Sequence, residues 1–89
     1  MAERRSKFEI IYDILALIQR EGKIKPTHVL YKGNLSYDRL KKYIGELKDK
    51  GLIEEFKEKD KTFYRITEQG IRIVEEAKKI NEVKNAFGL

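Results

Sequence analysis

Apolar residues in the first quarter of the chain recur every three or four positions, which is the spacing of one face of an α-helix. Ser6 and Glu9 precede this stripe as a capping box, and Gly22 is placed to end the helix in the left-handed conformation. The pattern predicts a first helix over Lys7–Glu21. Its apolar stripe comprises Phe8, Ile11, Ile14, Leu15 and Ile18.

Two further helices are predicted before residue 51. Pro26 suits the first position of a helix of about two turns, which residues 32–34 close. Ser36 is a good N-cap for the third helix, and Leu35 before it is placed to pack onto Leu40 as a hydrophobic staple. Gly51 ends this helix. Its core stripe contains Leu40, Ile44 and Leu47, with Tyr37 and Tyr43 beside it.

The apolar period then changes from helical to alternating. Residues 52–56 and 62–66 are predicted to form two short β-strands, which the polar residues 57–61 connect as a hairpin with a charged tip. Thr67 caps a last helix over residues 68–87. The predicted order is α-α-α-β-β-α, a mainly α domain with a small β-hairpin (α+β) that spans residues 1–89.

The composition argues against catalysis and against a metal or cofactor site. The 89 residues include no Cys and one His. Nucleophilic catalysis and zinc binding both need bases or ligands that this composition does not supply. No apolar stretch approaches the length of a membrane span, and the basic N-terminus lacks the apolar core of a secretory signal. We therefore expect a cytoplasmic protein that is not an enzyme and needs no cofactor.

The positive charge is concentrated in one segment. The net charge is +5, and residues 23–43 carry all of it, with six cations and one acid. This segment contains the second helix and the start of the third. A concentrated positive field on so small a body favours a polyanionic partner such as DNA. The alternative interpretation is a solvated polar face with no partner.

Particular side chains of this segment are candidates for contact with double-stranded DNA. Arg39 and Lys42 lie on the side of the third helix away from its core stripe, where a helix in the major groove meets bases. Ser36 and Tyr37 at the helix start are placed to meet a phosphate. Further candidates, from the same segment and from the hairpin, are Lys25, Lys32, Lys41, Lys59 and Lys61.

Some features allow two interpretations. Gly45 inside the third helix costs about 1 kcal/mol relative to Ala, so either the position is tolerated or a partner approaches the backbone there. Residues 54–61 carry three Lys against four acids, so the hairpin, called the wing below, is not strongly cationic. A basic arm before the first helix either contacts the DNA backbone or is a solvated tail; its residues are Arg4, Arg5 and Lys7.

The order of elements resembles the winged-helix variant of the helix-turn-helix, with the third helix as recognition helix. Residues 51–54 (GLIE) after this helix and 64–70 (YRITEQG) after the hairpin are similar to the corresponding sequence segments of many winged-helix regulators. Residues 5–11 (RSKFEII) and 34–37 (NLSY), with the helix that follows residue 70, are similar to the small basic archaeal ten-kilodalton winged-helix DNA-binding proteins of chromatin type.

This resemblance implies binding of double-stranded DNA, as a transcriptional regulator or a chromatin-type protein. Because the hairpin is weakly charged and there is no long basic arm, we expect this non-covalent binding to be sequence-tolerant. It also implies a dimer joined by an antiparallel coiled coil of the last helices, although the last helix predicted here is short for a long coiled coil. The alternative function is a winged helix that serves as a protein–protein interaction module in a larger assembly.

The last helix has two apolar faces in the predicted register. Ile71 and Val74 point partly toward the domain's own core, whereas other apolar residues repeat about every seven positions, as in a coiled-coil seam. Either this seam pairs with a second copy, or the whole helix folds back on its own domain. The dimer interpretation places at the interface Ile73, Ala77, Ile80, Val83 and Phe87, with Ile10 and Leu17 from the flank of the first helix.

Overall fold

Four helices and one hairpin make up the part of the chain that the structure describes, residues 6–33 and 35–88 of a computed structural model. The order α-α-α-β-β-α is the one that the sequence predicts, so the winged-helix class is confirmed. The elements are α1 (Lys7–Glu21), α2 (Pro26–Gly33), α3 (Tyr37–Asp49), β1 (Ile53–Glu58), β2 (Lys61–Ile66) and α4 (Glu68–Ala86).

Side-chain caps begin three of these helices. The Ser6 hydroxyl accepts a hydrogen bond from the Glu9 backbone N–H at 3.1 Å, and the Glu9 carboxylate accepts one from the Ser6 N–H at 3.3 Å. Ser36 caps α3 by accepting from the backbone N–H three residues later, at 3.3 Å. Thr67 accepts in the same way from the Gly70 N–H at 3.1 Å. The three predicted helix starts are therefore confirmed.

The core lies where α1 packs against α2, α4 and β2. Its fully buried side chains include Ile14 and Leu15 of α1 and Leu47 of α3. Ile10 and Leu17 belong to the same core, with 3% and 6% of their surface exposed within the single chain. Because the chain itself covers both residues, the expectation that they join an interface with a second copy is wrong.

The hairpin is longer and tighter than the sequence pattern predicts. The antiparallel register runs from Ile53 opposite Ile66 to Glu58 opposite Lys61, so the predicted five-residue connection is wrong. Only Lys59 and Asp60 form the turn, with φ angles of 51° and 64°. Two successive residues with positive φ characterise a type I′ turn, which matches the twist of paired strands but usually contains Gly or Asn.

A single β-bridge and the start of α4 fix the hairpin to the helices. Ile24, between α1 and α2, exchanges backbone hydrogen bonds of 2.8 and 3.0 Å with Tyr64 of β2. The Thr67 hydroxyl donates to the Gly51 carbonyl at 2.7 Å, and the Thr67 backbone N–H donates to the Leu52 carbonyl at 3.1 Å. The hairpin is thus held at its base and along the edge of β2 at Tyr64.

Only the first half of α4 packs against the domain. Val74 and Ala77 are buried, and Ala77 is only 4% exposed, so the chain itself covers this predicted interface residue as well. The remaining apolar side chains of the predicted seam are exposed: Ile73, Ile80, Val83 and Phe87. Among the described residues, no helix is both long and apolar enough to cross a membrane.

Candidate nucleic-acid interface

Helix α3 divides its residues into a buried and an exposed face. Leu40, Tyr43, Ile44 and Leu47 are buried, which follows from their spacing at 100° per residue. The opposite face is polar and lies in solvent. It includes Asp38, Arg39, Lys41 and Lys42, and for Arg39 and Lys42 this is the face that the sequence predicts.

Arg39 is held against its own helix. Its guanidinium lies over the Tyr43 ring, 5.9 Å from the ring centroid, and Nη2 donates to the Tyr43 hydroxyl at 3.4 Å. This flank of α3 is the one that faces α1, where Lys7 pairs with Glu46 at 3.0 Å. Arg39 is exposed but partly oriented, whereas Lys42 is exposed without such a contact among the described residues.

The other flank of α3 borders a groove of about 490 Å³ that separates it from the wing. Tyr37, Lys41, Gly45 and Lys48 line the helix side, because they follow one another at near-helical spacing. On the wing side lie residues of both strands, Glu55, Thr62 and Tyr64. The predicted recognition helix and the hairpin therefore form the two walls of one groove.

Two groups in this groove have shifted proton affinities. Lys48 donates to Glu55 at 2.8 Å, and this hydrogen bond raises the pKa of Lys48 above its usual value. Burial raises the pKa of Tyr64, and the negative charge of Glu55 adds to that effect. Lys48 is thus cationic and Tyr64 neutral at physiological pH. The Lys48 charge is neutralised by its ion pair with Glu55.

The three glutamates of the hairpin are paired with cations from several elements. Arg65 binds Glu54 at 2.6 Å, and Lys23, which precedes α2, pairs with Glu58. Together with Lys48 and Glu55, these pairs turn the negative hairpin segment into a unit with six cations against four acids. The wing and its partners are therefore positive, which the sequence count of residues 54–61 did not predict.

An aromatic pair stiffens the same face of the wing. The Phe56 and Phe63 rings stack with centroids 5.7 Å apart. Arg65 lies 4.7 Å from the Phe56 centroid and the Lys23 ammonium 4.9 Å from that of Phe63. Sequence reasoning missed this cluster. The alternating period of the strands was the available signal, since it places residues 54, 56 and 58 on one face.

The predicted contact residues fall into two groups on this surface. The first group lies at the start of α3: the N-cap Ser36, then Tyr37, Arg39, Lys41 and Lys42 in the first turns. Lys25 lies nearby in the chain, since it directly precedes Pro26, which lines the groove. Lys59 and Lys61 lie at the wing tip and are exposed. The Lys32 side chain and the basic residues Arg4 and Arg5 lie outside the described residues.

The described side chains do not form a cluster of possible metal ligands. Over residues 6–33 and 35–88, no group of three or more His, Cys, Asp or Glu side chains is placed to hold a metal ion. His28 is half-buried on α2. What the surface offers is positive charge: Lys41 and Lys42 form no ion pair with any described residue.

The chain matches the winged helix-turn-helix family over residues 4–85. It belongs to this family. It is 34% identical over 83 residues to the uncharacterized protein MJ0287 of Methanocaldococcus jannaschii, which covers 93% of this chain and 80% of that protein. The family is one of DNA-binding folds and is typically non-enzymatic.

Solved structures agree with this assignment. Sso10a-2, a DNA-binding protein from Sulfolobus solfataricus, superposes with a TM-score of 0.80 at 28% identity, covering 93% of this chain and 85% of that one. A MarR variant from E. coli in complex with operator DNA has a TM-score of 0.71 at 18% identity. That match covers 78% of this chain and 51% of MarR, and it supports the fold alone.

Proposed function

We propose that the protein binds double-stranded DNA through α3 and the wing. The observation that carries this proposal is the surface charge. Lys41 and Lys42 are unpaired among the described residues, while the glutamates of the neighbouring hairpin are neutralised by cations. The similarity to Sso10a-2, described as a DNA-binding protein, supports the same conclusion. In this binding mode α3 enters the major groove and the wing tip lies against the backbone.

The binding mechanism is non-covalent and largely electrostatic. Each Lys or Arg that meets a phosphate releases condensed counterions, so affinity falls steeply with salt. Few side chains on the exposed face of α3 are able to read base edges, and Arg39 is partly engaged by Tyr43. Binding is therefore sequence-tolerant, and random duplex competes within a few orders of magnitude of any preferred site. A transcriptional regulator or a chromatin-type protein on the nucleoid fits this behaviour.

We further propose that the protein is a homodimer paired through the second half of α4. Ile80, Val83 and Phe87 are 52%, 54% and 76% exposed, and their pairing removes a row of apolar side chains from water. Burial of such a side chain contributes roughly 1.5–3 kcal/mol, so three residues on each copy favour association. A two-fold axis then places two α3 helices for two half-sites.

The same exposed apolar row favours one alternative function, a protein-interaction module whose α4 docks onto a different protein. The two functions differ in what the cationic surface does. In the alternative, α3 is a solvated face and the protein does not bind duplex DNA measurably at low salt.

Titration of a fluorescent random duplex at several salt concentrations separates these functions. We expect measurable binding at low salt and a log–log slope of about −0.9 for each phosphate neutralised. A slope near zero, or no binding at low salt, contradicts DNA binding and supports the interaction module. Competition with unlabelled duplexes of different sequence then measures the specificity.

A further inference from the structure

Gly45 occupies an interior position of α3 that its own chain does not explain. A Cβ atom built at this residue meets nothing within 4 Å, and its backbone is helical with no positive φ. Gly in a helix interior costs about 1 kcal/mol relative to Ala. Because Ala fits this position without a clash, no packing contact within the chain requires Gly there.

The surroundings of Gly45 suggest what approaches it. Along the groove flank of α3, Tyr37 and Lys41 precede it at intervals of four residues, and Lys48 follows. The row therefore has side chains on both sides of a bare stretch of backbone. Lys41 is unpaired among the described residues, and the one acid that lines the groove, Glu55, is neutralised by Lys48. The local field at the bare position is positive and suits a phosphodiester strand.

We propose that Gly45 is where one DNA strand passes closest to α3, so that its missing side chain sets how deeply the helix enters the major groove. This inference rests on the proposed DNA binding and adds the position and depth of the contact. Tyr37 and Lys41 bound the strand on one side of Gly45, and Thr62 lines the wing side of the same groove. Any side chain at residue 45 projects into the space of the strand.

The test uses Gly45→Ala and Gly45→Leu in the full chain, with thermal unfolding and duplex titration measured on each variant. We expect the midpoint of unfolding to be equal to or above that of the wild type, because both residues are better helix formers than Gly. We expect duplex affinity to fall with side-chain size, by about tenfold for Leu, the equivalent of one good direct contact. Gain of helix stability with loss of binding is the signature of a close approach.

Gln19→Leu is the matched control, since it introduces an exposed Leu on α1 without a change of charge. We expect it to bind duplex like the wild type. Wild-type affinity in both Gly45 variants, when Lys41→Ala and Lys42→Ala weaken binding, overturns the close approach at Gly45 and leaves DNA binding intact. Absence of duplex binding by the wild-type protein overturns the proposed function and this inference together.

Discussion

Gly70 lies so close to Leu52 that a Cβ atom on Gly70 would come within 2.2 Å of the Leu52 carbonyl oxygen. That carbonyl already accepts a hydrogen bond from the Thr67 backbone N–H at 3.1 Å. The first turn of α4 therefore rests directly on the chain that leaves α3. The two sequence segments around residues 51–54 and 64–70 are therefore two sides of one junction.

Gly70→Ala tests this junction. We expect the free energy of unfolding to fall by about 3 kcal/mol, the upper end for overpacking, because the nearest obstructing atom is the Leu52 carbonyl oxygen of the backbone. Urea denaturation followed by circular dichroism measures the change. Gly45→Ala is the control, since its added methyl meets open space and should leave stability equal or higher. A Gly70→Ala variant as stable as the wild type contradicts the close contact.

Arg39→Ala combined with Lys42→Ala tests the exposed face of α3. We expect duplex binding to weaken by about 1–3 kcal/mol if one of these side chains reads a base, or the salt slope to flatten by about one unit per lost phosphate contact. Fluorescence anisotropy at several salt concentrations gives both quantities. Lys78→Ala with Lys79→Ala is the control, because it removes the same charge from exposed positions of α4. Equal losses in the two double variants would mean that net charge alone governs binding and that α3 is not the reading element.

The wing turn offers a stabilising change. Lys59 and Asp60 both have positive φ, a conformation that costs roughly 1–2 kcal/mol for an ordinary residue. Lys59→Asn with Asp60→Gly places the preferred type I′ pair there, and we expect stability to rise by about 1 kcal/mol. Lys57→Asn with Glu58→Gly removes the same two charges from strand β1, outside the turn, and should give no such rise. Thermal unfolding compares the variants, and an unchanged midpoint in the turn variant argues against this turn geometry.

Stability should decline at alkaline pH through the groove pair. The raised pKa of Lys48 means that the folded state keeps a proton which the unfolded state loses near pH 10.5, so its contribution is full below that pH and is lost as pH rises through the folded value. Tyr64 acts in the same direction, since unfolded Tyr ionises near pH 10.0 while the buried hydroxyl stays neutral.

Glu55→Gln removes the cause of the Lys48 shift and should flatten this alkaline decline. The expected change is at most about 1 kcal/mol, because the pair is partly exposed to solvent. Glu54→Gln is the control: it makes the same charge change on the same hairpin, but it breaks the ion pair with Arg65 and leaves the Lys48–Glu55 pair intact. Chemical denaturation between pH 8 and pH 11 measures the profiles. An identical profile for Glu55→Gln and the wild type would remove Lys48 and Glu55 as a source of the decline.

Light scattering at tens of micromolar tests the dimer. We expect a mass near twice 10.6 kDa, falling toward the monomer when Ile80 and Phe87 are both changed to Asp. The reason is that two charges replace apolar surface which pairing would bury. Asn85→Asp adds charge at the same end of α4 without removing apolar surface, and should stay dimeric. A wild-type monomer over this range contradicts the homodimer.

The helix starts and the order of elements were predictable from the sequence, because the interactions that set them span three or four residues. Ser6, Ser36 and Thr67 each cap a helix through the N–H three positions later. The cation-rich face of α3 was equally predictable, since helical periodicity alone separates it from Leu40 and Leu47. The hairpin turn was missed because Lys59 and Asp60 lack the usual Asn-Gly signal, and strand pairing imposes the turn.

Tertiary structure alone decided what covers the second apolar flank of α1 and which charges pair with the wing. Ile10 and Leu17 read as an unpartnered flank, but α1 lies among several elements of its own chain, so both are core residues. The sign of the wing was also a tertiary matter, since Lys23 pairs with Glu58 across 35 positions of sequence. Local periodicity describes what one element presents, but the pairing of charges depends on which elements the folded chain brings together.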